Sequence, residues 1–192
     1  MAARDRPPRG LFVAVVGPSG AGKDALIRGL AARMSEADGV HCPRRIVTRR
    51  ADAFEDHETL DEAAFLAARA RGRFALSWTA YGFHYGVPSE VDARLAEGAV
   101  VVCNLSRAVV GEARRRYANS FVVLVTARPE TLAARLALRS RESAERLRER
   151  LDRAFASEAA IKPDAVIDND GALDDAAARF CALVVARWRR PP

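Results

Sequence analysis

LFVAVVGPSGAGKD, Leu11 to Asp24, is the stretch on which the reading of this chain turns. Its first six residues form an unbroken apolar run, the pattern of a strand buried on both faces. A glycine-rich turn follows, and then a helical pattern from Lys23 to about Met34. Gly17, Pro18, Ser19, Gly20, Ala21, Gly22 and Lys23 keep the G-x-x-x-x-G-K spacing of a Walker A loop. In such a loop the glycines let backbone N–H groups turn inward around phosphate oxygens. The helix behind it adds the positive end of its dipole. Lys23 is placed to bridge the β- and γ-phosphates as a point charge. A strand before and a helix after make the match specific, so ATP is the expected nucleotide and this loop its seat.

Asp24 departs from the pattern, because a Ser or Thr usually follows the lysine and ligates Mg²⁺. Two readings stand. The carboxylate is a hard oxygen ligand that can hold Mg²⁺ directly or through water. Alternatively, it is a first-turn acid favoured by the helix dipole.

Outward from the loop, apolar runs at Arg45–Thr48, Gly98–Cys103, Phe121–Thr126 and Ala165–Ile167 read as further buried strands. Helical patterns lie at Ser106–Tyr117, Pro129–Leu138, Glu142–Ile161 and Leu173–Trp188. The alternation predicts an α/β fold with a central parallel sheet flanked by helices. Residues 51–91 break the alternation. They carry one helix, about Asp61–Arg71, and short aromatic strands near Phe74–Trp78 and Phe83–Tyr85, and read as an inserted acceptor-binding subdomain.

The length of 192 residues suits one domain, 1–192, and 49% hydrophobic residues supply a core. Residues 1–10 are polar, rich in Pro and Arg, and read as a flexible tail with no secretory apolar stretch. No apolar run approaches the roughly 20 residues that span a bilayer, so no membrane partner is expected. Cys42, Cys103 and Cys181 are odd in number and widely spaced, which argues against a disulfide framework or zinc site and for a reducing cytoplasm. The net charge of +6 is carried almost wholly by arginine, since lysine occurs only at Lys23 and Lys162. Such a balance suits polyphosphates as well as nucleic acid. No aromatics interleave a basic stripe, so no nucleic-acid partner is expected.

The chain resembles the guanylate-kinase-like group of P-loop NTPase-fold kinases, and within it the ribose 1,5-bisphosphate phosphokinase family. The likeness runs from Leu11 to about Leu183. It is carried by GPSGAGKD (17–24), VTRR (47–50), DHETLDEAAF (56–65), ALSW (75–78), Tyr85–Gly86, VVVCNLSR (100–107), the Arg-rich stretch 135–150 and DNDGAL (168–173). Guanylate kinases read guanine with an acid just before a Trp and with acids after the next long strand. Here those places hold Ser77 before Trp78, and Asn104-Leu105-Ser106-Arg107. A purine's N–H donors need carboxylate acceptors, and Arg107 is instead a planar donor suited to phosphate. A phosphorylated sugar without a base fits this pattern.

The resemblance implies roles for individual residues. Arg49 would grip the acceptor phosphate and Tyr85 would hydrogen-bond it. His57 stands where the related kinases place a phosphate-binding tyrosine, or else is an exposed loop residue. Ser77 and Ser106 are candidate contacts to sugar hydroxyls or phosphate, while Trp78 is read as core and Arg50 as contact or surface charge. The region 135–150 would be an Arg-rich lid over ATP. Within it Arg139 and Arg150 would stabilise the transferring phosphoryl, and Arg135 and Arg141 would assist. A solvated basic helix face paired with Glu142, Glu145 and Glu149 is the other reading. Asn169 and Asp170 fall where the family places its adenine-contacting loop, although N-D-G alone is an ordinary turn.

The expected reaction is transfer of the ATP γ-phosphoryl group to ribose 1,5-bisphosphate, giving 5-phosphoribosyl 1-diphosphate and ADP in phosphonate breakdown, with Mg²⁺ as metal. The rivals are a nucleoside monophosphate kinase, a silent binding module of the same fold and an ATP-dependent nucleic-acid binder. A homodimer is left open.

Overall fold

The computed structural model describes residues 10–51, 56–139 and 161–189. Residues 1–9, Arg141, Arg150 and the helix expected at Glu142–Ile161, apart from Ile161 itself, lie outside the described residues. So does the side chain of Arg139.

Nine strands and six helices are described, and they form two sheets. The strands are β1 Leu11–Val16, β2 Val40–His41, β3 Arg45–Val47, β4 His57–Thr59, β5 Phe74–Ala80, β6 Phe83–Pro88, β7 Val100–Asn104, β8 Ser120–Thr126 and β9 Ala165–Asp168. The helices are α1 Lys23–Ala31, α2 Glu62–Ala70, α3 Glu90–Ala96, α4 Val110–Arg116, α5 Pro129–Arg139 and α6 Leu173–Trp188.

The first sheet has the order β2-β7-β1-β8-β9, and every pairing in it is parallel. β1 lies at its centre, fully buried along its length. Strand alternation splits β1 between two cores. Leu11, Val13 and Val15 pack with Leu26 and Leu30 of α1 and with Phe180 and Val184 of α6. Phe12, Ala14 and Val16 pack with Val91 of α3, Val110 and Ala113 of α4, and residues of the second sheet. A strand covered on both faces has no solvent side, which is why its sequence is apolar throughout.

The second sheet has the order β4-β3-β6-β5 and is mixed. β3 pairs parallel with β4 and antiparallel with β6. This corrects the expected sheet membership of Arg45–Thr48, whose strand portion is β3 of the second sheet. The edge place in the parallel sheet goes to the two-residue β2. Pro43, just after it, has no N–H to extend a ladder, and the chain leaves for the second sheet there. The expected helices near Asp61–Arg71 and Pro129–Leu138 are present, and α1 stops at Ala31 rather than near Met34. α3 was not expected; Val91 is its buried anchor.

α2 seals the second sheet. Its Asp61 side chain accepts the Ala64 N–H at 2.7 Å as an N-cap. Phe65, fully buried, stacks on Phe74 at 4.5 Å and on His84 at 5.4 Å between centroids. Phe65→Ala is expected to lower unfolding stability by about 3–5 kcal/mol, read from the urea midpoint. A loss under about 1 kcal/mol would show that α2 does not anchor this sheet.

All three cysteines are free thiols. Burial pushes the Cys42 thiol up to about 11 and the Cys103 thiol higher still, so neither is a poised nucleophile. No described helix is long and apolar enough to cross a membrane.

Candidate functional site

The site gathers at the carboxyl ends of the parallel strands, where open α/β sheets hold their ligands. The Gly17–Gly22 loop leaves β1, Leu105–Arg107 leaves β7, Ala127–Arg128 leaves β8 and Asn169–Asp170 leaves β9.

Glycine is required in the loop for steric reasons. Gly17 has φ 147°, and a Cβ there would lie 2.1 Å from the Val125 carbonyl oxygen. Gly22 has φ 89°, and its Cβ would lie 2.4 Å from Asn169 Nδ2. Pro18, Gly20 and Ala21 are buried and Ser19 is half-buried. Lys23 folds back over the loop, with Nζ donating to the Gly17 and Pro18 carbonyls at 2.9 Å each. Its ammonium therefore stands at the loop mouth.

The far wall of the loop is Asn169. Its Nδ2 donates to the Ala21 carbonyl at 2.8 Å, and its main-chain N–H donates to Thr126 at 2.9 Å. Arg135 of α5 donates to the Asn169 carbonyl at 2.8 Å and to the Gly20 carbonyl at 3.5 Å. Arg135 thus braces the phosphate loop from the helix that leads towards the expected lid. Asn169 Oδ1 is buried with no hydrogen-bond partner among the described residues, an acceptor beside the nucleotide seat. Asp170 points elsewhere. Its carboxylate accepts the Arg128 main-chain N–H at 3.0 Å and Arg128 Nε at 3.1 Å, at the start of α5. A Thr131 hydroxyl bond, and then Arg128, hold its carboxyl below the usual carboxylate range.

Asp24 joins this loop to the second sheet. Oδ1 accepts Asn104 Nδ2 at 2.8 Å and faces Arg45 Nη2 at 3.5 Å. Arg45 in turn lies over the Tyr85 ring, 6.0 Å from its centroid, and Tyr85 stacks on Trp78 at 5.4 Å with planes 4° apart. Neither Arg45 nor Asn104 stood among the expected site residues. The available signal was Arg45 itself, a charged residue opening the apolar run Ile46–Val47.

In the second sheet, Arg49 follows β3 and is half-buried, whereas Arg50 is exposed. His57 does not sit in an exposed loop. It lies in β4 at 2% exposure, with Nε2 donating to the Arg49 carbonyl at 2.9 Å. The Thr59 hydroxyl donates to the same carbonyl at 3.3 Å. The structure thus gives His57 the task of fixing the Arg49 backbone. Ser77 pairs with Gly86 and Trp78 with Tyr85 across β5–β6, and the Trp78 ring stacks on the Tyr85 ring that Arg45 covers. Trp78 is half-buried against the second core. Ser106 accepts the Ala108 N–H at 3.3 Å and caps a 3₁₀ turn, Arg107–Val109. Ser106 and Arg107 line a cavity of about 460 Å³ with Arg114 and Lys162.

The chemistry of this donor set fits a Mg-nucleotide. The glycine cradle and Lys23 suit phosphates, and Asp24 supplies a hard oxygen. No cluster of three or more His, Cys, Asp or Glu occurs among the described residues. A cation here would therefore be shared between one carboxylate, phosphate oxygens and water, the usual habit of Mg²⁺.

Comparison with known proteins adds to this geometry. No protein-family model matches the chain. Proteins named ribose 1,5-bisphosphate phosphokinase PhnN are similar along most of its length. The one from Methylobacterium radiotolerans is 49% identical over 173 residues, covering 90% of this chain and 96% of that protein. The one from Brucella melitensis is 47% identical over 165 residues, covering 85% and 86%. The one from Acidiphilium cryptum is 45% identical over 179 residues, covering 93% and 94%. Among solved structures, guanylate kinase from Anaplasma phagocytophilum superposes with a TM-score of 0.70 at 18% identity, covering 95% of this chain and 88% of that one. A sugar kinase from Janibacter sp. HTCC2649 does so at 0.54 and 18%, covering 94% and 99%. At that identity the two structures establish the fold alone, the P-loop α/β architecture with its parallel sheet.

Proposed function

The chain belongs to the ribose 1,5-bisphosphate phosphokinase family, and from that premise we propose that it transfers the γ-phosphoryl group of ATP to ribose 1,5-bisphosphate. The products are 5-phosphoribosyl 1-diphosphate and ADP, in phosphonate breakdown. The same reading makes the acceptor a phosphorylated small molecule and the location cytoplasmic.

One observation carries the choice of acceptor. Ser77 and Asn104 stand where a reader of guanine needs carboxylates, and Asn104 is already committed to Asp24 through its amide N–H. With no acid at these two positions to accept purine N–H groups, a purine would leave its donors unpaired there, at a steep cost in discrimination.

In this reading the Gly17–Gly22 amides and Lys23 hold the ATP phosphates. Mg²⁺, with Asp24 as its protein ligand, would neutralise charge on the β- and γ-oxygens. Asn169 and Arg135 fix the loop that carries them. Arg49, held by His57, and Tyr85 bind an acceptor phosphate, with Ser77, Ser106 and Arg107 completing its surroundings. An oxygen of the 1-phosphate attacks the γ-phosphorus in line as the bond to the ADP oxygen breaks. That oxygen is already anionic, so no general base is required, and catalysis is positioning and charge stabilisation. Arg139 and Arg150 are proposed to bring further positive charge to the moving phosphoryl group.

The test is coupled ADP release with Mg·ATP and four acceptors: ribose 1,5-bisphosphate, ribose 5-phosphate, GMP and AMP. The bisphosphate is expected to exceed GMP by at least about 100-fold in kcat/KM. Preferential turnover of GMP would overturn the acceptor assignment.

A further inference from the structure

Arg45 begins in one sheet and ends in the business of the other. It opens β3 of the second sheet, yet its guanidinium reaches the head of α1, behind the phosphate loop. Its side chain is only 10% exposed, and that of Asp24 only 21%. A guanidinium stays charged at any working pH, and a charge taken out of water needs a counter-charge nearby. Asp24 supplies one at 3.5 Å. The relation also runs the other way. A carboxylate next to a triphosphate repels it unless its charge is cancelled close by.

The geometry does more than cancel charge. Arg45 Nη2 and Asn104 Nδ2 both meet Oδ1 of Asp24, at 3.5 Å and 2.8 Å. Two donors on one oxygen fix the carboxylate plane and so set the direction of Oδ2. That second oxygen has no hydrogen-bond partner among the described residues. The other side of the guanidinium covers Tyr85, the aromatic on the acceptor side.

We propose that Arg45 is a positioning residue of the transfer reaction: reaching from the acceptor sheet, it holds Asp24 Oδ1, cancels that carboxylate's charge beside the phosphate loop and leaves Oδ2 set for the cation. The proposal rests on the kinase reading above, and it assigns to the acceptor sheet a task on the nucleotide side.

The experiment is a double-mutant cycle of R45M and D24N, with R45K as the charge-keeping variant. Three quantities are read: the dissociation constant for ATP in EDTA, kcat and KM for the bisphosphate, and the thermal midpoint. R45M is expected to weaken metal-free ATP binding by about 10- to 100-fold, because Asp24 is left uncompensated. In the D24N background the same substitution is expected to change affinity by less than about threefold. R45K is expected to retain affinity to within about fivefold, since the charge survives and only the planar fork is lost. Equal effects of R45M in the wild-type and D24N backgrounds would overturn the proposal, because Arg45 would then not act through Asp24. If the midpoint shows that R45M does not fold, R45K decides, and a loss of about 10-fold or more with R45K overturns the proposal as well. Absence of ADP release by the wild type with every acceptor would sink the kinase reading instead, while the affinity cycle would still report on Arg45.

Discussion

Lys23→Met is expected to lower kcat by about 10³-fold or more with little change in thermal midpoint. The two halves of that expectation have separate causes. In the structure the ammonium is held by the carbonyls of Gly17 and Pro18, in a half-buried position at the mouth of the loop. Methionine keeps the length and the apolar stem. Gly17 is half-buried and Pro18 buried, so losing both carbonyl bonds is expected to cost the fold about 1–2 kcal/mol, small beside the kinetic loss. On the proposed reading, the reaction loses the side-chain cation of the loop that would follow charge from the γ-phosphate onto the leaving ADP oxygen. Single-turnover ADP release and a melting curve on the same preparation read both halves. Activity above about a tenth of wild type would mean that another cation, such as Arg135, carries that charge.

Gly17→Ala is expected to cost more than about 4 kcal/mol, enough to leave much of the protein unfolded. The conformation itself, φ 147°, is one that L-residues rarely adopt. The methyl would also lie 2.1 Å from the Val125 carbonyl oxygen, which belongs to β8 in the middle of the sheet. That oxygen cannot retreat without breaking the ladder between β8 and its neighbours. Gly22→Ala makes the useful contrast. There the nearest atom is Asn169 Nδ2, at 2.4 Å, a side-chain atom rather than a strand carbonyl. Urea unfolding of the two variants should rank them in that order, and a Gly17→Ala protein as stable as Gly22→Ala would show that the loop moves off Val125 freely.

Much of the fold was legible because its central strands are buried on both faces. LFVAVV, GAVVVC and FVVLVT have no polar face to confuse the reading, and β1, β7 and β8 lie where those runs fall. Strands such as β2 and β4 gave no such signal. Val40–His41 is two residues long and His57–Thr59 is largely polar, so neither shows a period. β3 was visible as a strand but not as a member of the second sheet, because an apolar run does not say which neighbour it will have. The phosphate loop was legible for the opposite reason, since its function resides in local backbone geometry that glycine spacing encodes directly.

The residues that tie the site together were less legible, because their partners are distant in the chain. In the sequence Asn104 is informative only as the place of a missing acid, whereas in the structure its amide holds Asp24. The sequence at His57 is compatible with a phosphate ligand or a loop residue. Burial and the bond to the Arg49 carbonyl reveal a third role, support for a neighbour's backbone. Asn169 and Asp170 read alike in a turn, yet one braces the phosphate loop and the other caps α5. No spacing rule distinguishes such cases, since each depends on what the fold sets opposite the side chain.

The place of β1 at the centre of its sheet also governs when the protein becomes competent during its own synthesis. Val13 pairs with Val102 on one side and with Phe121 on the other, and Ala21 behind it is fastened by Asn169. A chain growing on the ribosome therefore exposes LFVAVV long before either flanking strand has emerged. Contacts so far apart in sequence form slowly, and an unpaired apolar strand is prone to associate with its own kind meanwhile. The nucleotide seat is assembled late, when nearly all of the described chain is in place. The bond that fastens the loop, Asn169 to Ala21, joins residues 148 apart in the chain.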